Sequence, residues 1–141
     1  MKGIKSLPFL LSVLFFWGCP SVDYTPFPPT TGIYFTADFI RNGQSMTLPE
    51  DTLTIRNLQN DVMLKTQYDP ESGLQSTRID TFCTSEQVGL LIFESDSLLG
   101  EVTLILEERG RTDRCILTEA YTDDFEIVTQ SVFSVGIRVN K

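Results

Sequence analysis

Ile33-Tyr34-Phe35-Thr36-Ala37-Asp38-Phe39-Ile40 repeats with a period of two: Ile33, Phe35, Ala37 and Phe39 fall on one side, Tyr34, Thr36, Asp38 and Ile40 on the other. Side chains alternate across a strand and recur every 3.6 residues on a helix, so this stretch reads as a half-buried β-strand. Asn42-Gly43 follows directly. Both residues tolerate positive φ, which a two-residue hairpin turn requires, and Met46-Thr47-Leu48 is the expected returning arm.

The same period continues outward along the chain. Leu53 and Ile55 oppose Thr54 and Arg56, and Val62, Leu64 and Thr66 oppose Met63, Lys65 and Gln67. Asp69-Pro70-Glu71-Ser72-Gly73 is a turn by composition. Val88-Gly89-Leu90-Leu91-Ile92-Phe93 is apolar on both faces and is expected to be a central strand, because an edge strand would expose half of it. Val102, Leu104 and Leu106 follow, then Glu107-Glu108-Arg109-Gly110-Arg111 as a tight charged turn, with Arg114 to Thr118 returning. Phe125 to Gln130 and Val132 to Val139 complete the set; in the last, Phe133, Val135, Ile137 and Val139 alternate with Ser134, Gly136 and Arg138. No stretch carries an uninterrupted amphipathic helix of more than two turns, although residues 84–91 admit a short helical turn. Short strands at this spacing predict an all-β, antiparallel, immunoglobulin-like sandwich, with a small lipocalin-like barrel as the alternative.

The chain has 141 residues, enough for one domain, and 41% of them are hydrophobic, enough for a packed core. Lys and Arg total 11 against 19 Asp and Glu, a net charge of -8 that opposes contact with phosphate backbones; no nucleic-acid partner is expected. His is absent, which removes the commonest general base, the usual catalytic triads and most zinc sites.

Residues 1–18 form a unit of their own. Lys2 and Lys5 precede a run from Leu7 to Trp17 whose apolar stretch is too short to span a bilayer, the layout of a secretory signal peptide. The run ends in Phe16-Trp17-Gly18-Cys19. A small residue directly before a Cys at this point resembles the lipobox of bacterial lipoproteins, although Phe16 and Trp17 depart from the family's usual Leu and small residue. The resemblance covers the first nineteen residues. It implies that Cys19 receives a diacylglycerol and becomes the mature N-terminus, which places the protein in the bacterial cell envelope, held to the membrane by lipid on the periplasmic side or at the cell surface. An ordinary signal peptide cut after Ser21, or a plain structural Cys19, are the competing readings.

Loss of residues 1–18 removes Lys2 and Lys5 and takes the net charge from -8 to -10. Residues 19–32 then form a tether in which Pro20, Pro26, Pro28 and Pro29 favour an extended spacer, and 33–141 is the domain. With Cys19 acylated, Cys83 and Cys115 remain, an even pair in an oxidising compartment, and a disulfide between them is expected. Two buried free thiols are the alternative.

Chemistry is hard to place on this chain. No Ser lies in a Gly-x-Ser-x-Gly turn, and no His is present to activate a Ser or Cys nucleophile, so no catalytic residue is assigned. Paired carboxylates have little specificity among 19 acids. Glu94-Ser95-Asp96-Ser97 and Thr122-Asp123-Asp124 offer hard oxygen ligands at strand ends, but neither fits a helix-loop-helix calcium motif; no metal and no cofactor are assigned. Met46 and Met63 read as core or strand surface, not as copper ligands. Tyr24, Phe27, Tyr34, Tyr68 and Tyr121 are candidates for an exposed aromatic platform. The function expected is a lipid-anchored, non-enzymatic binding or assembly module for a protein or glycan partner. The alternatives are a small carboxylate- or metal-dependent hydrolase and a carrier of an apolar ligand.

Overall fold

A computed structural model describes residues 30–49, 52–83, 87–109 and 114–141. The signal segment, Cys19, Tyr24 and Phe27 lie outside the described residues. Eleven strands are formed: β1 (Thr30–Arg41), β2 (Gln44–Ser45), β3 (Leu53–Asn57), β4 (Val62–Lys65), β5 (Gln67–Asp69), β6 (Leu74–Phe82), β7 (Val88–Glu94), β8 (Ser97–Arg109), β9 (Arg114–Tyr121), β10 (Glu126–Ser131) and β11 (Ser134–Asn140). They make two sheets packed face to face. Sheet A has the order β10-β11-β1-β6-β5, with β2 also on β1, and sheet B has the order β4-β3-β7-β8-β9. This is a β-sandwich; the sheets do not close into a barrel. All neighbours are antiparallel except β1 and β11, the first and last strands, which run parallel with Phe35 opposite Val135 and Ala37 opposite Ile137.

The core follows from the alternation. Ile33, Phe35, Ala37 and Phe39 of β1 point inward together with Val135, Ile137 and Val139, and meet Leu53, Ile55, Val88, Leu90, Ile92, Val102 and Leu104 of sheet B. β7 is central in sheet B, between β3 and β8, as its apolar run requires. Its outward residues Leu91 and Phe93 are nonetheless only half-buried, because no other layer among the described residues packs on that face of the sheet.

The hairpin at Asn42-Gly43 forms with both residues at positive φ (53° and 76°), and Arg41 pairs Gln44. Its returning arm is shorter than expected. Pairing ends at Ser45, after which the Met46 N–H donates to Phe39 O at 2.7 Å and Leu48 turns into the core. The Asp69 turn closes through the Gly73 N–H donating to Asp69 O at 2.8 Å.

Several boundaries move. β1 begins at Thr30, so Thr30, Thr31 and Gly32 pair with Phe82, Thr81 and Asp80. The residues from Val88 onward within the suggested helical turn at 84–91 are strand. Glu107, Glu108 and Arg109 extend β8 instead of turning, and β9 continues to Tyr121. Val132 and Phe133 form the β10–β11 turn, leaving Phe133 exposed and outside the alternation of β11.

β6 has no counterpart in the apolar pattern. Its inward positions are Gln75, Thr77, Ile79 and Thr81, only one of them apolar. Buried amides and hydroxyls must be paired. Here the Gln75 amide donates to Leu48 O at 3.3 Å and the Thr81 hydroxyl donates to Thr31 O at 3.4 Å.

Cys83 and Cys115 form a disulfide with Cα atoms 5.5 Å apart. It joins the end of β6 in sheet A to β9 in sheet B, across the layers. The open sides between the sheets are closed by polar side chains. At one, buried Thr66 marks where the chain passes from β4 to β5, and its N–H donates to Leu53 O at 3.1 Å. At the other, Gln130 of β10 accepts from the Ala120 N–H at 3.1 Å and donates to Thr118 O at 3.2 Å.

Candidate functional site

The outer face of sheet B is the candidate site, built rung by rung from the strand register. One rung runs Lys65, Thr54, Phe93, Leu98; the next runs Met63, Arg56, Leu91, Glu101; Gly89, Thr103 and Tyr121 follow. Ile105, opposite Glu119, continues the face toward the end of β8. Leu98 is 57% exposed and Met63 52%. Leu91 is half-buried between Arg56 and Glu101, and Phe93 is half-buried between Thr54 and Leu98. Long charged side chains cover apolar neighbours with their aliphatic stems while their heads stay in water.

Two depressions lie on this face. A broad, shallow groove of about 560 Å³ is lined by Thr54, Arg56, Met63, Phe93, Ser95 and Asp96. A smaller one of about 160 Å³, beside β9, is lined by Glu101, Thr103, Tyr121, Thr122, Asp123 and Asp124. Of the two acidic segments weighed as sources of hard oxygen ligands, Thr122-Asp123-Asp124 is tied to nearby backbone and to itself. Asp124 Oδ2 accepts from the Glu101 N–H at 2.8 Å, the Thr122 hydroxyl donates to Glu101 O at 2.5 Å, and the Asp124 N–H donates to Thr122 Oγ1 at 3.1 Å. The Asp124 side chain lies over Gly100, where a Cβ would collide with it. In the β7–β8 turn, Ser95 takes a φ of 53° and Glu94 pairs with Lys141 at the far end of β11. Among the described residues, no three Cys, Asp or Glu side chains converge as metal ligands would.

Of the candidate aromatics, the three among the described residues, Tyr34, Tyr68 and Tyr121, do not share one surface. Tyr121 stands on sheet B, exposed, with its hydroxyl donating to Gln87 Oε1 at 2.8 Å. Tyr34 stands on the outside of sheet A, and Tyr68 is half-buried in β5. Met46 packs against the core, whereas Met63 lies in the open groove. Leu91 and Phe93 are hidden in the sequence because an apolar run on both faces signals burial on both; Leu98, outside that run, carries no such signal.

The β9 edge next to this face is occupied at 117–120. Gln130 takes up the Ala120 and Thr118 groups of β9, and the Leu117 N–H donates to Val132 O at 2.8 Å. A free row of such groups is what an added strand would need, so docking onto β9 at 117–120 is disfavoured. β4 offers only four residues. Among the described residues, the buried polar side chains are Asn57, Thr66, Gln75 and Thr81, none of them ionisable.

Among the described residues, Asp69 has a titration clearly displaced from its ordinary value. The Glu71 N–H at 3.0 Å and then the Ser72 hydroxyl at 2.9 Å both donate to its carboxylate and hold it below the ordinary Asp value of 3.8. It fastens the β5–β6 turn and stands apart from the sheet B face.

Comparison of the chain with protein-family models, with curated proteins and with solved structures finds no match in any of the three.

Proposed function

We propose that this protein is a lipid-anchored module of the bacterial cell envelope, fixed through Cys19, whose sheet B outer face docks a protein partner. The carrying observation is the row of Met63, Leu91, Phe93 and Leu98 on the open side of a central strand, around a shallow groove. An apolar centre with a polar margin is the anatomy of a protein interface. Aliphatic and Met side chains dominate this centre, which suits a protein better than a sugar; a glycan would call for flat aromatic faces ringed by hydrogen-bonding groups. Glu101, Glu119 and Asp96 at the margin favour a partner with basic residues around its own apolar patch. Hydrolysis and apolar-ligand carriage draw less support. The interior is filled by side chains, and the grooves are open and shallow.

The anchor reading rests on Gly18-Cys19 at the end of the apolar run. Metabolic labelling with a clickable fatty acid should mark the wild-type chain and not Cys19→Ser. For the docking face, a photo-reactive residue at Leu98 on sheet B should yield a discrete adduct in cells, and one at Arg78 on sheet A should not. The adduct should also vanish in Met63→Asp. Equal labelling at both faces would sink the assignment.

A further inference from the structure

The end of the sandwich at which the chain enters β1 differs from the opposite end. Thr30 pairs with Phe82, and Gln59 ties the β3–β4 turn to the same place: its amide donates to Phe82 O at 2.8 Å and accepts from the Phe82 N–H at 2.7 Å. The β10–β11 turn lies there too, since the Tyr34 N–H donates to Phe133 O at 2.8 Å. Around this end stand Leu58, Val62, Phe82, Val132 and Phe133, each between 37% and 47% exposed, with Tyr34 beside Phe133. The opposite end carries the Asn42-Gly43 turn, Asp69, Glu71, Asp96 and the Glu94–Lys141 pair.

We propose that the end bearing Leu58, Phe82, Val132 and Phe133 rests on a zwitterionic lipid surface and orients the domain on the membrane. The inference builds on the reading of Cys19 as the lipid anchor. Residues 20–29 separate Cys19 from Thr30, and an extended Pro-rich segment spans about 3.1 Å per residue. The end at which that segment joins the domain is therefore the one held within reach of the bilayer. Tethering raises the local concentration of this end at the lipid, so a weak affinity suffices. Aromatic and aliphatic side chains on turns partition into the headgroup boundary, and Tyr34 has the amphipathic form favoured there.

Charge agrees with this orientation. On this end Arg56 pairs with Asp61 and Arg78 with Asp80, so these four charges offset one another in a chain that is strongly acidic as a whole. At the end of β8 the exposed Glu107 and Glu108 outnumber the adjacent Arg109, which opposes an anionic surface and favours a zwitterionic one. In this orientation the strands stand upright on the membrane, and the outer face of sheet B looks sideways, open to a partner.

The chain's single Trp is Trp17, in the signal segment, so Trp introduced into the domain is a unique reporter. The disulfide leaves Cys19 as the free thiol of the chain from Cys19 onward, which holds every described residue. That chain is coupled through Cys19 to a maleimide-headgroup lipid in phosphatidylcholine vesicles with brominated acyl chains. Phe133→Trp and, independently, Val132→Trp should emit at shorter wavelength on the vesicles and lose most of their intensity to bromine. Leu98→Trp should keep the emission of a water-exposed indole. Absence of quenching at both Phe133→Trp and Val132→Trp, or equal quenching at Leu98→Trp, would overturn the proposal. The chemical tether makes this outcome independent of acylation in the cell, which the fatty-acid label tests by itself.

Discussion

Across the outside of sheet A, one rung reads Glu126, Arg138, Asp38; across the outside of sheet B, one rung reads Lys65, Thr54, Phe93, Leu98. On sheet A the Arg138 guanidinium lies 3.2 Å from Glu126 and 3.7 Å from Asp38, whose carboxylate also accepts from the Ser45 hydroxyl at 2.9 Å. Thr36 beside Ser76 and Tyr34 beside Arg78 continue that polar face. Both sheets use the same inward alternation, so fold stability does not require them to differ outside. A solvated outer face satisfies the sandwich, and sheet A has one. Sheet B adds Met63, Leu91, Phe93 and Leu98 among the polar residues of its outer face, and these are the side chains that we propose dock a partner.

Where the two sheets share a role, changes should cost alike. Phe35→Ala in sheet A should destabilise by about 3–5 kcal/mol, and Ile92→Ala in sheet B by about 2–5 kcal/mol, both read from denaturant midpoints. A mild effect at Ile92 alone would mean that sheet B packs loosely and that its outer face is a product of poor packing. Replacing Cys83 and Cys115 together by Ala should cost about 2–5 kcal/mol, since the bridge closes a 32-residue separation between the sheets. Intact-mass analysis should show two thiols appearing only after reduction.

Outside, the faces should part. Arg138→Met on sheet A should cost about 0.2–1 kcal/mol, with the loss shrinking as salt rises, because the ion pairs are partly exposed and screened. Leu98→Asp on sheet B should leave stability within about 0.5 kcal/mol yet interfere with docking. A large stability loss at Leu98→Asp would make that residue part of the fold and remove it from the site.

The smallest effect is at Asp69. Its carboxyl is held below the usual value in the folded chain, so the stabilisation is present above the unfolded value of 3.8 and fades as pH falls through the lower folded value. The stability difference between wild type and Asp69→Asn should accordingly narrow on acidification below that value. A difference that stays constant into strong acid would mean that its partners act through shape and not through charge.

Much of the sandwich was legible because inward apolar residues alternate along β1, β3, β8 and β11, and because Asn42-Gly43 and Asp69–Gly73 have turn chemistry that needs no distant partner. The missed strand, β6, pairs with β1 through a register that only the folded chain reveals, and its buried Gln75 and Thr81 find backbone carbonyls on segments far away in sequence. Nothing local marks a polar residue as buried. The candidate site was obscured for the converse reason. Leu91 and Phe93 look like core in the sequence, and only the arrangement of layers shows that, among the described residues, no layer packs on their side of β7.

Met63 offers the most direct test of the central claim that the sheet B face is covered in its native setting. It is exposed in the groove, while Met46 packs against the core and serves as an internal reference in the same chain. Brief peroxide treatment converts accessible Met to its sulfoxide, and mass spectrometry compares the rate at each position in isolated protein and in intact envelopes. The account predicts a several-fold slower conversion of Met63 in the envelope, with Met46 unchanged. Equal rates at Met63 in both settings would contradict it.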